Sequence, residues 1–167
     1  MKKLIKDLAW AFCVAMALRL IFGFVLGSRY PFVAVMSASM THDDSAPNNY
    51  YLWMAKHGFT AQDIADMPFP NGFNKGDALI LAGTKHVAVG DVVLYINPEL
   101  GYPIIHRVVN ITDDGYVIKG DRNPAQDPWV VKQEWLKGRA ILRIPLLGWI
   151  RVVPTELVYR FSNTYPL

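Results

Sequence analysis

One cysteine, Cys13, occurs in the 167 residues, so no intrachain disulfide can form and any folded unit must be held by its core. There is no Cys pair and no H-E-x-x-H, and the four histidines, at 42, 57, 86 and 106, lie far apart. The sequence therefore points to no metal centre and no cofactor. His42 beside Asp43 and Asp44 is at most a weak cation site, and solvated loop residues explain the trio better. The net charge is only +3, and no basic run is interleaved with aromatics, so nucleic acid is not an indicated partner. The Ser-x-x-Lys and G-x-S-x-G signatures of serine enzymes are missing as well. No internal repeat or low-complexity tract is visible.

What the chain does have is a long apolar run. Residues 8–27 read LAWAFCVAMALRLIFGFVLG, with Arg19 as the one charge. Twenty helical residues rise about 30 Å, the thickness of a hydrocarbon core. A cleaved signal peptide would have a shorter apolar segment followed by a small-x-small exit, whereas this run passes directly into YPFVAVM. A buried soluble helix is the third reading. The expectation is an uncleaved transmembrane anchor. Arg19 at mid-membrane costs about 2.5–3.5 kcal/mol, eased by snorkelling or a polar neighbour. Lys2, Lys3 and Lys6 precede the run, so the positive-inside rule puts residues 1–7 in the cytoplasm and 28–167 on the outer face of the cell membrane, with membrane lipid as a partner.

Past the anchor, VAVM leads into Ser37-Ala38-Ser39-Met40. Residues 41–72 are polar at both ends with a central stretch suited to one or two helices, and read as an insertion or lid whose Tyr50, Tyr51, Trp53 and Phe59 form a small core or a membrane-facing surface. From Lys75 strands dominate. DALILAG and DVVLYINP each follow a Gly-Asp turn, and YPIIHRVVNI and YVIKG form a hairpin with Asp114-Gly115 at its tip. GRAILRIPLLGWIRVV reads as one or two further strands, and PTELVYRF as a short terminal helix capped by Thr155.

Nucleophilic catalysis needs a serine, a base and a group to orient the base. His106, on a β-rich run, shares a face with Ile104 and Val108. Alone, such a histidine is more often structural. Asp121 and Asp127, in the loop after the return strand of the same hairpin, are carboxylates that the pairing carries back toward it, although each is equally comfortable as a turn residue. Lys75 and Lys119 are the alternative bases of a serine–lysine pair, and a non-catalytic peptide-binding domain is a further alternative.

The ordered set of an anchor, SASM, KGD, GDVVLY, IIHRV, KGDRNPAQD and GRAILRIPLLGWI resembles the type I signal peptidases, in their endoplasmic-reticulum/archaeal branch. The resemblance spans nearly the whole chain except 41–71. It implies a mainly β fold: an N-terminal transmembrane helix, then a signal-peptidase-like β domain with a partly helical insertion. It also implies a membrane-anchored serine endopeptidase that removes signal peptides from exported precursor proteins after small residues, at sites of Ala-x-Ala type. Accessory subunits or a secretion channel as further partners are left open. On this chain it implies Ser39 as nucleophile and His106 as base, with Asp127 orienting His106 and Asp121 as a second carboxylate. The Ser39 N–H and the Ser37 hydroxyl are implied as oxyanion donors. Val35, Met40, Ile104 and Ile105 are the expected pocket walls. The chain departs from the family where Ala38 replaces a glycine, where Thr41-His42 follow the methionine, and in DRNP.

Overall fold

The computed structural model describes residues 1–42 and 50–162. Asp43 and Asp44, and with them the weak cation site, lie outside the described residues.

Helix α1 (Lys2–Leu26) takes in the apolar run up to its final glycine and begins six residues before it. It is long and apolar enough to cross a membrane, with a mean hydropathy of 2.1 over its most apolar stretch. None of its residues is buried against the protein. A soluble core helix would be buried on at least one face. Gly27 ends it in the left-handed region at φ 61°. The helix end is joined directly to the sheet. Gly83 donates its N–H to the Leu26 carbonyl at 2.7 Å, Ser28 Oγ donates to the Lys137 carbonyl at 3.3 Å, and Phe22 meets Phe32 edge-on at 5.2 Å.

The rest of the chain is built on one six-stranded sheet in which every pairing is antiparallel. Its strands are β1 (Phe32–Ala34), β2 (Ala78–Ala82), β3 (Val92–Ile96), β4 (Pro103–Thr112), β5 (Gly115–Lys119) and β6 (Leu136–Ile144), in the order β1-β2-β6-β3-β4-β5. The strand composition explains why both faces are covered. Val92 and Leu94 point to a cluster with Val35, Met40, Phe73, Leu79 and Leu81, while Val93 and Tyr95 point to one with Val108, Ile118, Val131 and Leu136. The two Gly-Asp turns are equivalent. Gly76 and Gly90 have φ near +90° (89° and 95°). Asp77 and Asp91 each accept the N–H three residues back, from Asn74 and Ala88, and each pairs with an arginine of β6, Arg143 and Arg139.

Helices α2 (Tyr50–Lys56) and α3 (Ala61–Asp66) lie within the expected insertion. Tyr50, Met54, Ile64 and Met67 pack there against Val109 of β4, with Trp53, Phe59 and Val117 alongside. The aromatics of this segment thus form a small core on the sheet, apart from Tyr51, which is exposed.

Two sequence expectations are corrected. The hairpin tip is Asp113-Asp114, because Gly115 already pairs with Thr112 and opens β5. Strand β6 stops at Ile144, and residues 149–162 form helix α4, so WIRVV is helical and Thr155 lies inside the helix rather than capping it. The β-branched run and Pro154 both favour a strand or a break over a helix. Pro154 forfeits one backbone hydrogen bond, but burial of Val152 and the seating of Trp149 over Gly76 hold the turn in place. A Cβ on Gly76 would lie 2.1 Å from Trp149 Nε1.

Candidate active site

The segment carrying Ser39 leaves β1 and is pinned on both sides. Val35 N–H donates to the Asp77 carbonyl and Gly76 N–H to the Val35 carbonyl. A turn then closes from Thr41 N–H to the Ala38 carbonyl, and Phe73 N–H reaches the Met40 carbonyl at 3.0 Å. Across the site, the backbone N–H of Arg122 donates to the Ser39 carbonyl at 2.8 Å, and Asp121 N–H donates to the Met40 sulfur at 3.4 Å. The apolar Met40 side chain, 1% exposed, is the peg that fixes this turn. Ser39 is left partly accessible, with its Oγ 3.2 Å from Ser37 Oγ.

His106 stands opposite Val93 in the β3–β4 register, and its Nε2 lies 3.1 Å from Ser39 Oγ. Its Nδ1 faces Asp127, 2.8 Å from Oδ2 and 3.1 Å from Oδ1. The carboxylate can only accept, so Nδ1 carries the proton and Nε2 is left to accept from the serine hydroxyl. Asp127 is held in turn by its own N–H to the Ile118 carbonyl and by the Tyr95 hydroxyl at 2.7 Å. The line Ser39–His106–Asp127 has the geometry of a nucleophile, a base and an orienting acid.

Gly120 lies beside the imidazole. A Cβ there would sit 2.7 Å from His106 Nε2, and Asn123 blocks retreat on the other side. Gly120→Ala is therefore expected to push Nε2 away from Ser39 and to lower at least tenfold any hydrolysis that the two groups carry out, a misplacement cost in the usual range. Steady-state kinetics checks this, with circular dichroism confirming the fold.

Asp121 does not touch His106 in this arrangement. It takes a bidentate ion pair from Arg107 (Nε to Oδ1 2.9 Å, Nη2 to Oδ2 2.8 Å), and His42 Nε2 lies 2.8 Å from Oδ2. Burial would raise the Asp121 carboxyl, but Arg107 and His42 outweigh it and hold it below the usual carboxylate range. Arg107 is fully buried and also donates to the carbonyls of Pro68, Phe69 and Gly90. One ion pair thus joins β4, the segment after α3 and the loop that seats Ser39. His42, stacked on Tyr50 at 4.2 Å, makes the unusual Thr41-His42 stretch part of that joint.

The two lysines face elsewhere. Lys75 pairs with Glu156, and Lys119 Nζ donates to the carbonyls of Gly120 and Asp121 beneath the Trp53 ring. Burial lowers Lys119 from its ordinary 10.5 to about 8, against the pull of Asp121 and Asp127. The unfolded chain then binds more protons than the folded one between those values, so this residue adds stability as pH rises through that window. The rise from pH 8 to 10 is expected to be present in wild type and missing in Lys119→Met, measured by urea unfolding.

Ser39, His106 and Asp127 open on a cleft of about 850 Å³. Val33 to Met36 line one part of it, Pro103 to Ile105 another, and Tyr95, Tyr102 and Trp129 are also present. The expected wall residues Val35, Met40, Ile104 and Ile105 all border the cleft, although Val35 and Met40 are almost wholly core. Sequence reasoning missed Tyr95, Trp129 and Arg107, and also Arg151, Thr155, Glu156, Tyr159 and Arg160 of α4. For Tyr95 a signal existed: it alternates with Val93, the cross-strand neighbour of His106. For α4 there was none: Arg151 falls in a run that reads as strand, and the short terminal helix expected from Pro154 onward carries nothing that points it at the cleft.

No protein-family model matches the chain. It is similar to curated proteins named "Signal peptidase complex catalytic subunit SEC11". The one from Ogataea parapolymorpha is 30% identical over 110 residues, 52% of this chain and 62% of that protein. The one from Debaryomyces hansenii is 33% identical over 101 residues, 52% and 60%. The one from Scheffersomyces stipitis is 27% identical over 166 residues, 92% and 82%. The chain thus spans about 60% of the length of the first two relatives. The similarity and the ordered motifs agree: the chain is similar to signal peptidase catalytic subunits, of the family that its motifs resemble.

Proposed function

We propose that this chain is a membrane-anchored serine endopeptidase that removes signal peptides from exported precursor proteins, cutting after small residues at sites of Ala-x-Ala type. The observation that carries the reading is Ser39 Oγ within hydrogen-bond reach of His106 Nε2, with Asp127 on Nδ1, at the wall of an open cleft. In this reading His106 takes the Ser39 proton as Oγ attacks the scissile carbonyl, and Asp127 stabilises the imidazolium that forms. The proton then passes to the leaving amine, and water repeats the cycle on the acyl-enzyme. The Ser39 N–H and the Ser37 hydroxyl are the proposed oxyanion donors. Asp121 has a supporting role, holding the loop against the nucleophile turn.

Strand β1 is an edge of the sheet and borders the cleft, which suits an extended peptide adding alongside it with alternate side chains in shallow pockets. In this proposal α1 is a single-pass span of the cell membrane with a cytoplasmic N-terminus, and residues 28–167 form the outer catalytic domain, with 41–72 as its insertion. The relatives are named as subunits of a complex, which extends the proposal to assembly with further subunits.

The test is incubation of the full chain, in detergent micelles, with a precursor bearing an Ala-x-Ala site, and mass spectrometry of the product. Cleavage after the second alanine by wild type and none by Ser39→Ala is expected. Intact precursor with the wild-type chain overturns the reading.

A further inference from the structure

The Asp127 carboxylate has a second donor that the catalytic line does not need. Tyr95 is fully buried on β3, and its hydroxyl donates to Asp127 Oδ2 at 2.7 Å, the same oxygen that faces His106 Nδ1 at 2.8 Å. Behind it, Trp129 Nε1 donates to the Tyr95 hydroxyl oxygen at 3.2 Å. The direction of each bond is forced. An indole nitrogen can only donate, so the phenol oxygen must accept from it and send its own proton to the carboxylate. Burial first, then the adjoining Asp127, pushes the phenol well above its usual range, which favours the protonated, donating form.

We propose that Tyr95 is a positioning residue that acts on His106 through Asp127, with Trp129 fixing the rotor of its hydroxyl. The proposal rests on the catalytic reading above. The register supports it, because Tyr95 pairs with Ile104 and Val93 with His106, so tyrosine and histidine share one face two residues apart. A carboxylate gripped from one side by the phenol keeps its oxygens turned to the imidazole without having to find that orientation during the reaction. The grip also draws charge from the carboxylate, and so moderates how strongly Asp127 favours imidazolium. The other titratable groups that face this pair are Lys119, which feels the Asp127 charge, and Tyr102, which faces Tyr95; Tyr95→Phe removes neither.

The test is Tyr95→Phe, which keeps the ring and removes one oxygen. Loss of a hydrogen bond to a charged group is expected to lower kcat about tenfold. KM should stay within about twofold. The acidic limb of kcat/KM should move to higher pH, because an Asp127 released from the phenol holds the imidazolium more strongly. In an Asp127→Asn background the same substitution should cost almost nothing further. A purely structural tyrosine would leave the pH limb in place and cost the same in both backgrounds, and either result overturns the proposal. NMR titration of the His106 ring in the Ser39→Ala chain reads the same midpoint without turnover, so the proposal is decided even if no precursor is cleaved. An unmoved midpoint there overturns it independently of the catalytic reading. Should Tyr95→Phe fail to fold, Trp129→Phe takes its place with a smaller shift of the same sign, and an unshifted profile counts against the proposal equally.

Discussion

Ser39→Ala is expected to lower kcat for precursor cleavage by about 10⁵- to 10⁶-fold, the cost of deleting the nucleophile from a working triad. Stability should change by no more than about 0.5 kcal/mol. The second expectation follows from the surroundings of Ser39, which is partly accessible. Its turn is held by backbone bonds to Ala38, Phe73 and Arg122 and by the Met40 peg, none of which involves its hydroxyl. His106→Ala should cost a similar factor, and the double variant scarcely more, because neither group acts without the other. Additive losses in the double variant would mean that Ser39 and His106 do not operate as a unit. Single-turnover assays at high enzyme concentration give enough range to see residual rates. The lysine alternative predicts the opposite ranking, with Lys75→Ala or Lys119→Ala inactive and His106→Ala active.

Arg107→Met is expected to give the largest loss of stability, about 3–5 kcal/mol, since it leaves the buried Asp121 carboxylate short of its main partner. It also strips donors from the carbonyls of Pro68, Phe69 and Gly90. Urea unfolding in micelles measures it. The double variant Arg107→Met/Asp121→Leu should recover part of the loss, because it removes the orphaned charge along with its partner. A double variant less stable than Arg107→Met would show that Asp121 contributes chiefly through His42 and the loop. The same pair sets acid sensitivity. The folded-state Asp121 carboxyl lies below its ordinary 3.8, so its contribution is complete above that value and is lost as pH falls beneath it.

The sheet was legible where local pattern and tertiary context agree. β2 and β3 sit where Gly-Asp turns open apolar runs, and β4–β5 is the hairpin expected from the TDDG turn, displaced by one residue at its tip. The candidate site was legible only as an ordered set. Nothing local to SASM distinguishes Ser39 from a strand-end serine, and the link to His106 is made 67 residues downstream through a hydrogen bond. Arg107 was illegible for a different reason. In IIHRVV it reads as the outward partner of an inward histidine, the usual reading for a half-exposed strand. Both faces of this sheet are covered, by the core clusters and by α2 and α3, so the arginine is buried and must find a carboxylate. The α4 error has the same root, since burial of Val152 and the Trp149 contact override the β preference of WIRVV.

The junction of α1 with the sheet has a mechanical meaning. A flexible tether would let the catalytic domain float at any height above a bilayer. Here the last turn of the helix is bonded to Gly83, and the residue just beyond its cap to Lys137, so the helix end is tied to the sheet at two points. Bilayer thickness sets how far a spanning helix tilts. In a membrane, a change of that tilt would reach β1 and Ser39 through those two bonds, linking lipid thickness to the height at which the blade stands.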